Sequence, residues 1–212
     1  MDRVAALHSL AAEIDHYLSR FEGAGVNNVR AGLARWGGGV VHEGAASGPA
    51  CGGLDEALAA VEQADPLKSA IAAAQPFLDW VTYDLYPAAD IGPRFPKSHA
   101  FASLIGGGAP LRADGYELGL FLIAQRALYR DHHHAAPELY APLTGPHRWR
   151  FGTDQPWLEK PAHEPVWNEP WDVHATIVGE TPFLCIFAWT ADVNIAAKTV
   201  YAADWDVIEA RL

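Results

Sequence analysis

Val4, Leu7, Ala11, Ile14, Leu18 and Phe21 recur at helical spacing, which predicts an amphipathic helix over residues 2–21. Asn27 or Asn28 can cap a short second helix through Leu33 and Ala34, ended by Gly37-Gly38-Gly39. Residues 37–53, rich in Gly, Ala and Ser, read as a loop, either a lid or a connector. Residues 54–63 read as another helix. Asp65-Pro66 signals the start of one more, with Leu67, Ala70, Ile71 and Ala74 on one face. After about residue 82 the helical period fades. Turn punctuation such as Tyr86-Pro87, Gly92-Pro93, Gly106-Gly107-Gly108 and Gly179-Glu180 then separates short apolar runs. Residues 100–105, 118–128, 172–178 and 182–189 are the predicted strands. The expected architecture is mainly β: an antiparallel barrel or jelly roll over residues 83–212, carrying an N-terminal α-helical layer over residues 1–82.

Composition narrows the partners more than the fold. A chain of 212 residues suits one domain with an elaboration, or two small ones. At this size roughly 70% of the unfolded surface can be buried, so folding needs neither disulfides nor metal. Cys51 and Cys185 are too few for a disulfide framework. The formal net charge of −11 argues against nucleic acid and anionic membrane as partners. Asp2, Glu13 and Asp15 interrupt the first turns as no signal peptide would allow. No run reaches the ~18 apolar residues of a membrane span. The expectation is a cytoplasmic protein. Jelly-roll edges often pair, which leaves room for a homodimer.

Candidate chemistry concentrates between Tyr129 and Tyr140. An apolar run, Leu118 to Ile123, leads into His132-His133-His134, with Glu138 four residues further on and Gly145 closing a turn. Along an extended strand alternate residues share a face, so His132 and His134 point one way and His133 the other. Two imidazoles and a carboxylate suit a first-row divalent metal better than Ca or Mg, which want oxygen ligands throughout. His174 opens a later strand candidate, and strands distant in sequence pair across a jelly roll, so it can face the first two histidines. The competing reading is a solvated histidine loop with adventitious metal affinity. His163 reads as a loop residue, His147 as structural or exposed, and His8, His16 and His42 carry no assigned chemistry.

The string H-x-H-x-x-x-E-x-x-x-x-x-x-G from His132 to Gly145 resembles the first metal motif of the cupin superfamily, a double-stranded β-helix. With Tyr129 and Tyr140 flanking it, and with His174-Ala-Thr, Gly179-x-x-Pro182-Phe-Leu and Trp189 downstream, the chain resembles cupin-type dimethylsulfoniopropionate (DMSP) lyases over about residues 118–190. Arg126 stands where that motif usually opens with glycine, and Arg130 where a proline is common. The resemblance implies a carbon–sulfur lyase that cleaves zwitterionic DMSP to acrylate and dimethyl sulfide by β-elimination. It implies one divalent transition metal (Zn, Fe, Mn, Co or Ni) on His132, His134, Glu138 and His174, with Tyr140 as the base and Tyr129 in the site. Trp189 and Trp171 can wall the sulfonium, or be ordinary barrel core; Tyr140 can instead support a ligand by hydrogen bonding. Two other readings fit the same barrel: a different cupin metalloenzyme, either dioxygenase or isomerase, and a non-catalytic binder of small carboxylates.

Overall fold

A computed structural model describes residues 1–61 and 66–212. Four helices come first: α1 (Arg3–Leu18), α2 (Ala24–Trp36), α3 (Leu54–Ala60) and α4 (Pro66–Ala74). Asp2 caps α1 through a 2.8 Å bond from the Ala5 amide. The buried stripe of α1 runs Leu7, Leu10, Ile14, Tyr17 and Leu18, which leaves the expected Val4 half exposed. Helix α2 begins earlier than Asn27, with Gly23 at its N-cap. Its second residue, Gly25, lies against the Trp167 indole, where any Cβ would fall within 2.3 Å of the ring. The expected ends at residues 62 and 63 and the cap at Asp65 lie outside the described residues. Residues 37–53 form no helix or strand of their own; Ser47 anchors them, its hydroxyl donating to Asp79 at 2.6 Å.

Two short helices, α5 (Ala88–Ile91) and α6 (Phe95–Ser98), precede the strands and had no clear periodic signal. The strands are β1 (His99–Gly106), β2 (Leu111–Arg112), β3 (Glu117–Ile123), β4 (Leu128–His133), β5 (Glu138–Pro142), β6 (His147–Phe151), β7 (Leu158–Lys160), β8 (Val166–Asn168), β9 (His174–Ile177), β10 (Phe183–Trp189) and β11 (Lys198–Thr199), and α7 (Trp205–Glu209) closes the described chain. They form a six-stranded sheet ordered β2-β1-β3-β10-β5-β8 and a five-stranded sheet ordered β11-β4-β9-β6-β7. Apart from the β1–β2 pair, every ladder is antiparallel. From β3 to β6, and again from β7 to β11, consecutive strands switch between the sheets, which is the double-stranded β-helix expected, with the N-terminal helices packed on the six-stranded sheet.

Strand alternation divides the interior in two. Leu118, Leu120 and Leu122 of β3, with Leu184 and Ile186 of β10, face a core shared with Leu7, Leu10 and Ile14 of α1 and Ile71 of α4. Phe121, Phe183, Phe187 and Tyr140 face the other way, into the barrel. The apolar run expected as one strand over 118–128 is two, because Ala124 to Ala127 turn the chain from one sheet to the other. At the turn Arg126 takes φ 56, the left-handed region where the cupin motif's glycine is at ease. Gly145 is held by crowding: a Cβ there would lie 2.6 Å from the Ala162 nitrogen. No helix among the described residues is long and apolar enough to cross a membrane.

Two buried histidines outside the candidate chemistry make the fold acid-sensitive. His99 accepts from the Tyr83 amide at 3.0 Å, and His147 lies beside Thr144 and the Gly179 amide. Each is nearly inaccessible, and burial pushes each pKa down from 6.5 to about 4. The folded chain therefore keeps both neutral where the unfolded chain protonates them. Stability is full above pH 6.5 and falls as the pH drops toward 4, by about 2 kcal/mol per histidine at pH 5. Urea titrations at pH 7 and pH 5 test this, and equal midpoints at the two would refute it.

Candidate active site

The site assembles where β4, β5, β9 and β10 meet inside the barrel. His132 and His174 are directly opposed in the β4–β9 ladder, which sets their rings 4.2 Å apart. His134 follows β4 immediately, with its ring 5.2 Å from that of His174. One ligand nitrogen from each of the three lies within 4.8 Å of the others, and all three residues are buried. His133 points out of the barrel, against Trp171 at 5.2 Å.

The donor set fits a metal by its own hydrogen bonding. Nδ1 of His132 donates to the Arg130 carbonyl at 2.8 Å, that of His134 to Ala136 at 2.8 Å, and that of His174 to Asp172 at 2.9 Å. These bonds fix the proton on Nδ1 and turn each Nε2 lone pair inward. Nε2 of His132 and of His174 are buried without a hydrogen-bond partner, a costly state that a metal relieves. Glu138 completes the set, with Oε2 3.2 Å from His134 Nε2 and 3.3 Å from His174 Nε2. Burial alone would raise the Glu138 carboxyl; where the imidazoles instead take up protons on Nε2, His134 and then His174 hold it well below its ordinary value. Burial and the two neighbouring imidazoles push His132 well down.

Two residues that sequence reasoning did not connect with the metal set hold Glu138 in place. Trp189 Nε1 donates to Oε1 at 2.7 Å and Asn168 Nδ2 to Oε2 at 3.1 Å. Both follow from register, since Glu138 pairs with Trp189 on β10 and with Asn168 on β8. Trp189 thus steers a carboxylate as well as lining the pocket. Tyr129 and His132, three residues apart, would face opposite ways on a regular strand. An irregularity between them in the β4–β9 pairing turns both inward, and their rings stack at 3.8 Å. Tyr86, whose only sequence signal was the turn before Pro87, shares a 2.7 Å hydrogen bond with the Tyr129 hydroxyl.

Glu138, Tyr129, Tyr140, Tyr86 and Trp189 open on a cavity of about 130 Å³, walled further by Phe121 and Phe187. Burial, then the Glu138 charge, hold the Tyr140 phenol well above its ordinary value. Trp171, expected as a second sulfonium wall, does not line this cavity. It is 48% exposed at φ 69, and its amide donates to the His134 carbonyl at 2.8 Å from outside the barrel. His147 is buried, so its exposed reading falls away. His163 bonds the Tyr17 hydroxyl through Nδ1 at 3.0 Å and does not line the cavity.

Fold and donor set define the class: a cupin-type barrel enclosing a buried group with metal-binding chemistry. Residues 39–185, more than half of the chain, match the dimethylsulfoniopropionate lyase family, and the chain belongs to that family. It resembles the DMSP lyase DddQ from Ruegeria pomeroyi DSS-3 with a TM-score of 0.67 at 20% identity, covering 94% of this chain and 98% of that one. A crystal structure of the DMSP lyases RdDddP and RnDddQII gives 0.68 at 17% identity, covering 94% and 100%. At such identities the structural likeness is one of fold. No curated protein sequence matches the chain.

Proposed function

We propose that this chain cleaves DMSP to acrylate and dimethyl sulfide by base-catalysed β-elimination. What carries the reading is the meeting of Tyr140 with a buried three-histidine, one-glutamate set around one aromatic cavity, in a member of the DMSP lyase family. His132, His134, His174 and Glu138 would hold one divalent transition metal, and this nitrogen-rich set suits Zn, Fe, Mn, Co or Ni. When bound, that cation supplies Lewis-acid charge beside the substrate carboxylate and beside Tyr140, acidifying the α-proton and favouring the phenolate.

The protein's own residues do the rest. Tyr140 takes the α-proton onto its phenolic oxygen. The C–H electron pair becomes the new C=C bond, the C–S bond breaks, and its pair departs on a neutral sulfide that needs no acid. Tyr129, locked by Tyr86 and by stacking on His132, shapes the wall beside the reacting carbons. Trp189 and Phe187 present aromatic faces to the sulfonium. They also keep water from the carbanion-like transition state.

Headspace gas chromatography tests the reading. Chelator-stripped protein given back Zn, Fe, Mn, Co or Ni is expected to release dimethyl sulfide from DMSP with at least one of them. Release no higher than the stripped control with all five would exclude it. His174→Ala should lose both turnover and bound metal by elemental analysis; full metal content in that variant would remove His174 from the donor set.

A further inference from the structure

One carboxylate in the cavity has no part in this chemistry. Glu117 opens β3 in register with Trp189, and Trp189 is in register on its other side with Glu138. Paired positions share a sheet face, so Glu117, Trp189 and Glu138 form one row across three strands. With strands about 4.8 Å apart, the two glutamate backbones lie roughly 10 Å from each other. Glu117 lines the same cavity as Glu138 and Tyr140, whose walls also include Phe101 and Tyr83. The Ser103 hydroxyl donates to its Oε1. Among the described residues it makes no ion pair. Burial pushes its carboxyl up from the ordinary value, which the Ser103 bond only partly offsets. A carboxylate set among aromatic rings with no cation beside it costs free energy that a cationic ligand would recover.

We propose that Glu117 is the counter-charge for the onium end of the substrate. It makes the pocket selective for carboxylates that carry a permanent cation on the β-carbon, over neutral thioethers of the same shape. The orientation rests on the DMSP reading, which puts the substrate carboxylate among the histidines. A carboxylate and an onium three bonds apart fit within the row from Glu138 to Glu117. The cation then lies between the Glu117 carboxylate and the Trp189 face, where the two attractions reinforce each other. Ser103 orients Glu117 without neutralising it.

Calorimetry on the metal-loaded protein tests this with two probes: the trimethylammonium analogue of DMSP, whose amine is the poorer leaving group, and methylthiopropionate, which keeps the carboxylate but has an uncharged thioether end. The unaltered chain should prefer the cationic probe. Glu117→Gln should weaken that probe on the order of tenfold and leave the thioether unchanged, an effect expected of a partly desolvated charge pair. Glu117→Asp, which restores the charge, should recover most of the preference and controls for misfolding. Equal weakening of both probes by Glu117→Gln, or no weakening of either, would overturn the assignment. Dimethyl sulfide release by the unaltered chain reports on the lyase reading separately. Absent release with the probe preference intact sinks that reading alone, and release with Glu117→Gln indistinguishable on both probes sinks this one alone.

Discussion

Tyr140→Phe is expected to lower dimethyl sulfide release by about 10³-fold, in the range removed with a positioned general base, while metal content stays at the level of the unaltered chain. The substitution deletes one oxygen. Tyr140 is fully buried among Phe121, Trp149 and Phe183, with ring centroids 6.0, 5.7 and 6.3 Å away, so a phenyl ring keeps the packing. The donor set loses only the Tyr140 hydroxyl beside Glu138, and that carboxylate stays held by Trp189 and Asn168. Turnover and metal content must therefore separate. His134→Ala makes the contrast, since removing an imidazole that lies 3.2 Å from Glu138 should cost both. Tyr129→Phe should be milder, because the Tyr129 hydroxyl is already engaged with Tyr86 at 2.7 Å. Tyr140→Phe with an unchanged rate would show that the base is another group. Tyr129→Phe with the larger loss would exchange the two roles.

The parts legible in the sequence were those set by local periodicity. His132 and His134 on one face, with His133 opposite, follow from the two-residue repeat of a strand, and α1 and α4 follow from their apolar stripes. What escaped were features set by long-range register. Asn168 and Glu117 bear on the pocket only because β8 and β3 flank β5 and β10 in particular alignments, and no local pattern encodes those alignments. Tyr129 reaches the pocket through an irregular stretch at Arg130 and Asp131 that breaks the very alternation used to place His132. Trp171 reads from sequence as either a sulfonium wall or barrel core, because an indole face suits both, and is neither: a left-handed turn carries it outside the barrel, half exposed. The family motif gave Tyr140 its meaning, which spacing alone could not.

That irregular stretch is clamped from behind, so breaking the clamp should have the largest effect on stability. Asp131 is fully buried on the outer side of β4 and accepts from Arg150 Nε at 3.0 Å, from Arg150 Nη2, and from Trp205 Nε1 of α7 at 2.7 Å. Arg150 Nη1 reaches Asp204 at 2.6 Å, and its guanidinium lies 4.5 Å over the Trp157 ring. Next to it Arg130 holds Glu209 through Nε and Nη2 at 2.9 and 3.0 Å. Asp131→Leu leaves the buried Arg150 with one half-exposed partner, and stranding a buried charge this way costs about 3–5 kcal/mol. For a chain of this length that corresponds to roughly 10 °C in melting temperature. Adding Arg150→Met to Asp131→Leu removes the stranded charge, so the double variant should be more stable than the single by about 2 kcal/mol or more. Strict additivity of the two losses in urea unfolding would show that the pair is not the clamp. The same single variant should weaken metal retention at least tenfold, the scale of losing a group that orients a ligand, because Asp131 directly precedes His132. A melting temperature that falls while metal affinity stays level would separate the clamp from the site and leave it a support for α7 alone.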